Sequence, residues 1–138
     1  MADVFEWKED FVTGNDEVDN EHRQLFAKIN KLYEMFLDTN KYHKEIPELT
    51  EQLKSIMLEH FEIENELLEK YNIESYEEHI KIHNEIKESI CEIDKYNLPV
   101  IIAALLLSDI IINYFLKHFP EYDKKFIAEL NEKQKLDS

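Results

Sequence analysis

The 138-residue sequence predicts an all-α protein, an up-down-up-down antiparallel four-helix bundle with a short C-terminal helix. Three observations predict it. Apolar residues recur at three- and four-residue steps through four long segments, as helices with one buried face require. A single Gly and three Pro leave too few turn signals for a sandwich or barrel of short strands. The stretches between the periodic segments are short, which makes consecutive helices neighbours.

Each element can be justified in turn. An irregular arm covers about residues 1–15, and its opening MADVFEWKED has no apolar run that would read as a signal or transit peptide. Val18, His22, Leu25, Ile29, Leu32 and Phe36 then mark the face of a first helix from about Asp16 to Asp38. Thr39 to Glu45 is polar and reads as a loop. Pro47 suits the first turn of a second helix, whose stripe Leu49, Leu53, Met57, His60, Phe61, Glu64 and Leu68 runs to about Lys70. A third helix follows Ser75, which with Glu78 forms a candidate capping box, and buries Tyr76, His79, His83, Ile86, Ile90 and Ile93. The most apolar segment, Leu98 to Phe119, is long enough to cross a membrane. Ser108, Asp109, Asn113 and Lys117 interrupt it, so it reads as a buried bundle helix. A last helix from about 123 to 135 carries Phe126, Ile127 and Leu130. The broad apolar face of the fourth, with Ile102, Leu106, Ile110 and Ile112, is either covered by it or exposed for self-association. No repeat or linker divides the chain, so a single domain over residues 1–138 is expected, with the bundle at about 16–119.

Sixteen basic against 31 acidic residues give a formal charge of -15, which repels nucleic acid and anionic membrane surfaces. The lone Cys91 can neither staple the fold nor build a thiolate metal site, and fits a reducing compartment. A soluble cytoplasmic protein is expected, as a monomer or weak homo-oligomer.

The six histidines carry the chemistry. His60 with Glu64, and His79 with His83, are four-residue pairs, so each shares one helix face and lies within an apolar stripe. In an up-down bundle, His22, His60, Glu64, His79, His83 and His118 all fall within roughly 15 Å of one bundle end at 1.5 Å rise per residue. Five imidazoles at one level of an apolar core are costly unless something satisfies them, and a metal does so. Asp123 follows His118 by five residues, an awkward interval for one straight face. Pro120 between them predicts a break or widened turn that brings Asp123 inward. His43 falls in the first loop, at the other end, as a surface residue. Seven nitrogen and oxygen donors without thiolate exceed what one tetrahedral zinc takes, and fit two metals. If Glu64, Asp123 and a solvent oxygen bridge both, five histidines complete six-coordination at one metal and leave an open position at the other.

The spacing His22, His60-x-x-x-Glu64, His79-x-x-x-His83 and His118-x-x-x-x-Asp123 resembles the hemerythrins, specifically the single-domain bacterial type. Phe5-x-Trp7, Thr13-Gly14-x-x-x-Val18-Asp19-x-x-His22, His60-Phe61 and His118-Phe119 also resemble that family's signatures, over about residues 5 to 130. The resemblance implies two non-haem iron ions that bind O2 reversibly, without enzymatic turnover, for storage, delivery or scavenging. By motif, His79, His83 and His118 hold the six-coordinate iron, and His22 and His60 the one with the open position. Glu64, Asp123 and an oxo or hydroxo group bridge them. Leu25, Phe61, Tyr114 and Phe119 are the expected walls of the O2 pocket. The chain departs from the family at Asn65, Asn72, Ile86 and above all Tyr114, which stands where tryptophan is expected.

Three rivals stand beside the carrier. A ferritin-like di-iron oxidase or peroxidase uses Glu-x-x-His motifs, and no histidine here has a Glu three residues before it. An O2 or NO sensor needs a separate output partner. A structural or zinc-bound bundle needs fewer ligands.

Overall fold

The computed structural model describes residues 5–137; the first four residues of the arm and residue 138 lie outside the described residues. It is all-helical, with no strand among the described residues. Helix α1 spans Asp16–Met35, α2 Glu45–Lys70, α3 Tyr76–Lys95 and α4 Val100–Asn113. A ten-residue π-helical stretch, Tyr114–Asp123, follows, and then α5, Lys124–Asp137. Short 3-10 turns occupy Glu9–Phe11 and Phe36–Asp38, the second replacing the end of the predicted first helix.

The start of α1 is fixed by its polar flank. Asn15 Oδ1 accepts the Val18 backbone N–H at 3.2 Å, satisfying one of the donors a helix start leaves free. The backbone N–H and the hydroxyl of Thr13 both donate to Asp19 Oδ1, at 2.9 and 2.8 Å, so this buried carboxylate is paired. Gly14 between them has φ of 85°, which a residue with a Cβ rarely adopts. The Thr13-Gly14-x-x-x-Val18-Asp19 run is therefore a helix-start device that sets the phase of α1, and with it the direction of His22.

Packing follows the predicted stripes. Helix α1 lies against α2, α2 against α3 and α4, and α3 against α4. Leu25, Ile29 and Leu32 meet Leu53, Met57, Leu68, Ile90 and Ile111 in one fully buried core. The arm joins this core. Phe5 stacks on Phe26 with ring centroids 4.0 Å apart, and Asn30 ties the Phe5 backbone N–H and C=O at 2.7 and 2.8 Å.

Two expectations are corrected. Ser75 stands at the N-cap of α3, but its side chain makes no cap hydrogen bond, so there is no capping box. The turn is fixed instead from the α2 side. Asn72 adopts a left-handed φ of 51°, with Ile73 N–H bonded to Leu68 C=O and Asn72 N–H to Glu69 C=O. That is a Schellman closure, with Asn in the position glycine usually takes. The second correction concerns burial. Val100–Phe119 has the length and composition of a membrane-crossing helix, yet only 33% of its apolar window is buried. Val100, Ile102, Leu105 and Leu106 are exposed, and α5 does not cover Ile102 or Leu106. It packs on the π-helical stretch instead, through Phe126, Ile127 and Leu130.

Candidate metal centre

All seven predicted donors are buried and meet at one level of the bundle, on four elements. They form two groups that can each hold a metal ion: His22, His60 and Glu64, and His79, His83, His118 and Asp123. His22 comes from α1, His60 and Glu64 from α2, His79 and His83 from α3, and His118 and Asp123 from the π-helical stretch. The four-residue steps in α2 and α3 stack their side chains on one face. The five-residue step works because the backbone widens: His118 Nε2 lies 3.0 Å from Asp123 Oδ1. The helix runs on through this stretch in π-helical form instead of breaking.

The two carboxylates link the groups. Glu64 turns Oε1 to His60 Nε2 at 2.6 Å, and Oε2 to His83 Nε2 at 3.4 Å and His79 Nε2 at 3.8 Å. Asp123 turns Oδ1 to His79 Nε2 at 2.7 Å and to His118, while Oδ2 faces the Tyr114 hydroxyl on the side of the first group. Glu64 thus presents one oxygen to each cluster, while Asp123 gives Oδ1 to the second and Oδ2 to Tyr114. His22 Nε2 and His60 Nε2 face each other at 3.4 Å. Glu64 Oε2 and His83 Nε2 are buried and face each other at 3.4 Å, with no well-formed hydrogen bond to any other group. Buried lone pairs gathered in two groups are what a pair of cations would satisfy. Cys91 belongs to neither group.

Electrostatics divide the histidines. Burial, helped by nearby His60, lowers the His22 pKa to about 4. Burial also opposes charge on His60, but the Glu64 carboxylate outweighs it, with Glu21 at 3.8 Å adding, and the pKa rises to about 10. Glu64 is held well below the usual carboxylate range by His60, against the effect of burial. Asp123 is lowered by His118 and His79, against burial and Glu64. Burial lowers His83, and burial with Asp123 and Glu64 raises Tyr114 well above 10. His60 therefore holds a proton where a metal would bind, and metal entry must displace it.

The predicted walls Leu25, Phe61, Tyr114 and Phe119 are all buried. Phe61 stacks on the His83 ring at 4.5 Å, and Phe119 meets His22 edge-on at 5.1 Å. Tyr114 differs from an ordinary wall, because its hydroxyl points into the donors, 3.2 Å from His60 Nε2 and 3.4 Å from Glu64 Oε1. His43 is exposed, in the first loop as predicted, with Nδ1 2.9 Å from Asn40 C=O.

Two contributors escaped the sequence reading. Phe115 meets the His22 ring edge-on at 5.0 Å; its four-residue step to Phe119 was the available signal. Asn65 Oδ1 lies 2.7 Å from His83 Nδ1. An amide oxygen only accepts, so His83 Nδ1 carries the proton and Nε2 presents its lone pair to the site. No periodicity marks Asn65, which lies beside the Glu64 stripe rather than in it.

Residues 13–130 match the hemerythrin HHE cation binding domain family. The chain is 33% identical to a bacteriohemerythrin of Clostridium acetobutylicum, over 90% of this chain and 99% of that protein. It is 34% identical to a bacteriohemerythrin of Pseudomonas aeruginosa over 56% of this chain and 49% of that one. With the match running from the arm to α5, through every donor just described, the chain belongs to the hemerythrin family.

Proposed function

We propose that this chain binds O2 reversibly at a non-haem di-iron centre, and stores, delivers or scavenges O2 rather than turning over a substrate. Family membership implies non-haem iron. The observation that supports a pair of irons is Glu64, whose Oε1 meets His60 of the first group and whose Oε2 faces His83 and His79 of the second, where Asp123 Oδ1 joins His79 and His118. In this assignment Glu64 and Asp123 bridge, three histidines complete one iron, and two leave the other open. The iron pair supplies an open position and two electrons that O2 can borrow and return.

The chain's own residues make such binding reversible by keeping the site dry. Leu25, Phe61, Phe115 and Phe119 exclude water and the protons that would consume reduced O2. A surface cleft of about 280 Å³ between α3 and α4 is lined by Ile86, Ile110, Asn113, Tyr114 and His118, and so lies beside the site. The same proposal takes the four long helices as up-down-up-down in one domain over residues 1–138. The contacts of α1 with α2, α2 with α3 and α3 with α4 support that order. The charge of -15 and the free Cys91 support a cytoplasmic setting, as a monomer or weak homo-oligomer.

Metal analysis and visible spectra before and after O2 test the function. Two irons per chain, with a spectrum that changes on O2 addition and returns on its removal, are expected. One zinc per chain, or a spectrum indifferent to O2, would sink the proposal.

A further inference from the structure

The geometry points to Tyr114 as an eighth protein ligand, its phenolate oxygen occupying the open position of the iron held by His22 and His60 in the diferric protein. This rests on the di-iron centre proposed above. The Tyr114 oxygen, His60 Nε2 and Glu64 Oε1 form a triangle with edges of 3.2, 2.6 and 3.4 Å, and His22 Nε2 lies 3.4 Å from His60 Nε2. Donors about 2.1 Å from one metal at right angles to each other are about 3 Å apart. The hydroxyl therefore stands at ligand spacing from donors already converging on that metal, not at the distance of a wall.

Two further observations agree. The cluster that the hydroxyl joins is the smaller one, with three donor residues against four. Tyr114 is also buried, and its hydroxyl touches only donor atoms: Asp123 Oδ2, Glu64 Oε1 and His60 Nε2. Metal binding turns those lone pairs to the irons. A buried hydroxyl stripped of its partners is costly, and coordination restores a partner. A hard phenolate oxygen suits Fe(III) as carboxylate does.

The step balances simply. The phenol O–H breaks and an Fe–O bond forms at the open position; the proton is released to bulk solvent as the iron enters, and no electron moves. Exogenous ligands must then compete with the side chain. A position filled nine-tenths of the time weakens apparent affinity about tenfold.

Resonance Raman spectroscopy of the diferric full-length protein tests this, with iron content measured on the same samples. Native protein should carry two irons and show tyrosinate ring modes that shift when tyrosine is ring-deuterated. Tyr114→Phe should keep two irons, lose those modes and bind azide about tenfold more tightly. Two irons in the native protein without tyrosinate modes would overturn the assignment of Tyr114 alone. Fewer than two irons would overturn the di-iron centre and this ligand with it. The isotope shift needs no variant, so its absence from two-iron protein refutes the ligand even if Tyr114→Phe folds poorly. Its presence is assigned to Tyr114 by the variant, or by proximity to the centre, where no other tyrosine hydroxyl meets a donor among the described residues.

Discussion

Stability of the metal-free protein should peak near pH 6.5 and fall on both sides, because His22 and His60 are pushed in opposite directions. Below 6.5 the unfolded chain protonates His22, while the folded chain keeps it neutral down to about pH 4. The unfolded state then binds the extra proton, so stability falls as pH falls. Above 6.5 the folded chain keeps a proton on His60 up to about pH 10, which the unfolded chain has lost, so stability falls as pH rises. At about 1.36 kcal/mol per pH unit, the acid limb is worth about 3 kcal/mol and the alkaline limb about 5 kcal/mol. At roughly 3 °C per kcal/mol for a chain of this size, the midpoint should drop about 10 °C toward pH 4 and about 15 °C toward pH 10. Thermal denaturation of chelator-treated protein across this range, followed by circular dichroism, measures both limbs. His22→Gln should flatten the acid limb and His60→Gln the alkaline one. Loading with iron should remove the alkaline limb, since the metal replaces the His60 proton. A level midpoint from pH 4.5 to 9.5, or variants as steep as the native protein, would refute the charge assignment.

Two other substitutions probe the surroundings of the donors. Asn65→Leu removes the acceptor that orients His83, and should weaken iron retention about 10- to 100-fold in competition with a ferrous chelator. Unchanged retention would show that His83 needs no such partner. Phe119→Ala empties a fully buried site beside His22, and should lower stability to urea by about 3–5 kcal/mol. A loss under 1 kcal/mol would mean that the pocket collapses around the gap.

Much of this architecture was legible because a helix writes its buried face into the spacing of its residues. His60 with Glu64 and His79 with His83 announced themselves by a four-residue step inside apolar stripes, and loop position separated His43 from the rest. What stayed hidden depends on how neighbouring helices are rotated. Tyr114 stands out in the sequence as a hydroxyl where tryptophan is expected; that this hydroxyl reaches His60 and Asp123 is set by α2 and the π-helical stretch together. Asn65 is invisible for the same reason, since its partner sits on α3. The breadth of the apolar face on α4 was legible, but the choice between cover and exposure was not, because periodicity says which residues are apolar and not what covers them. Ser75 and Glu78 had the capping-box spacing, and the closure at Asn72 took over the turn.

The widened helix at Tyr114–Asp123 has a consequence for how the chain can change its length. Every donor pair on one element obeys the same rule of facing across one turn; α2 and α3 achieve it in four residues, and the π-helical stretch takes five. One residue there is surplus to the geometry. Deleting a residue inside α2 or α3 would swing the next donor about 100° round the helix and break the cluster. Deleting Pro120 would leave His118 and Asp123 at the ordinary four-residue step, on backbone free to become α-helical. The segment that carries Tyr114, His118 and Asp123 is thus where this protein can lose a residue and keep its centre, while the straight helices cannot.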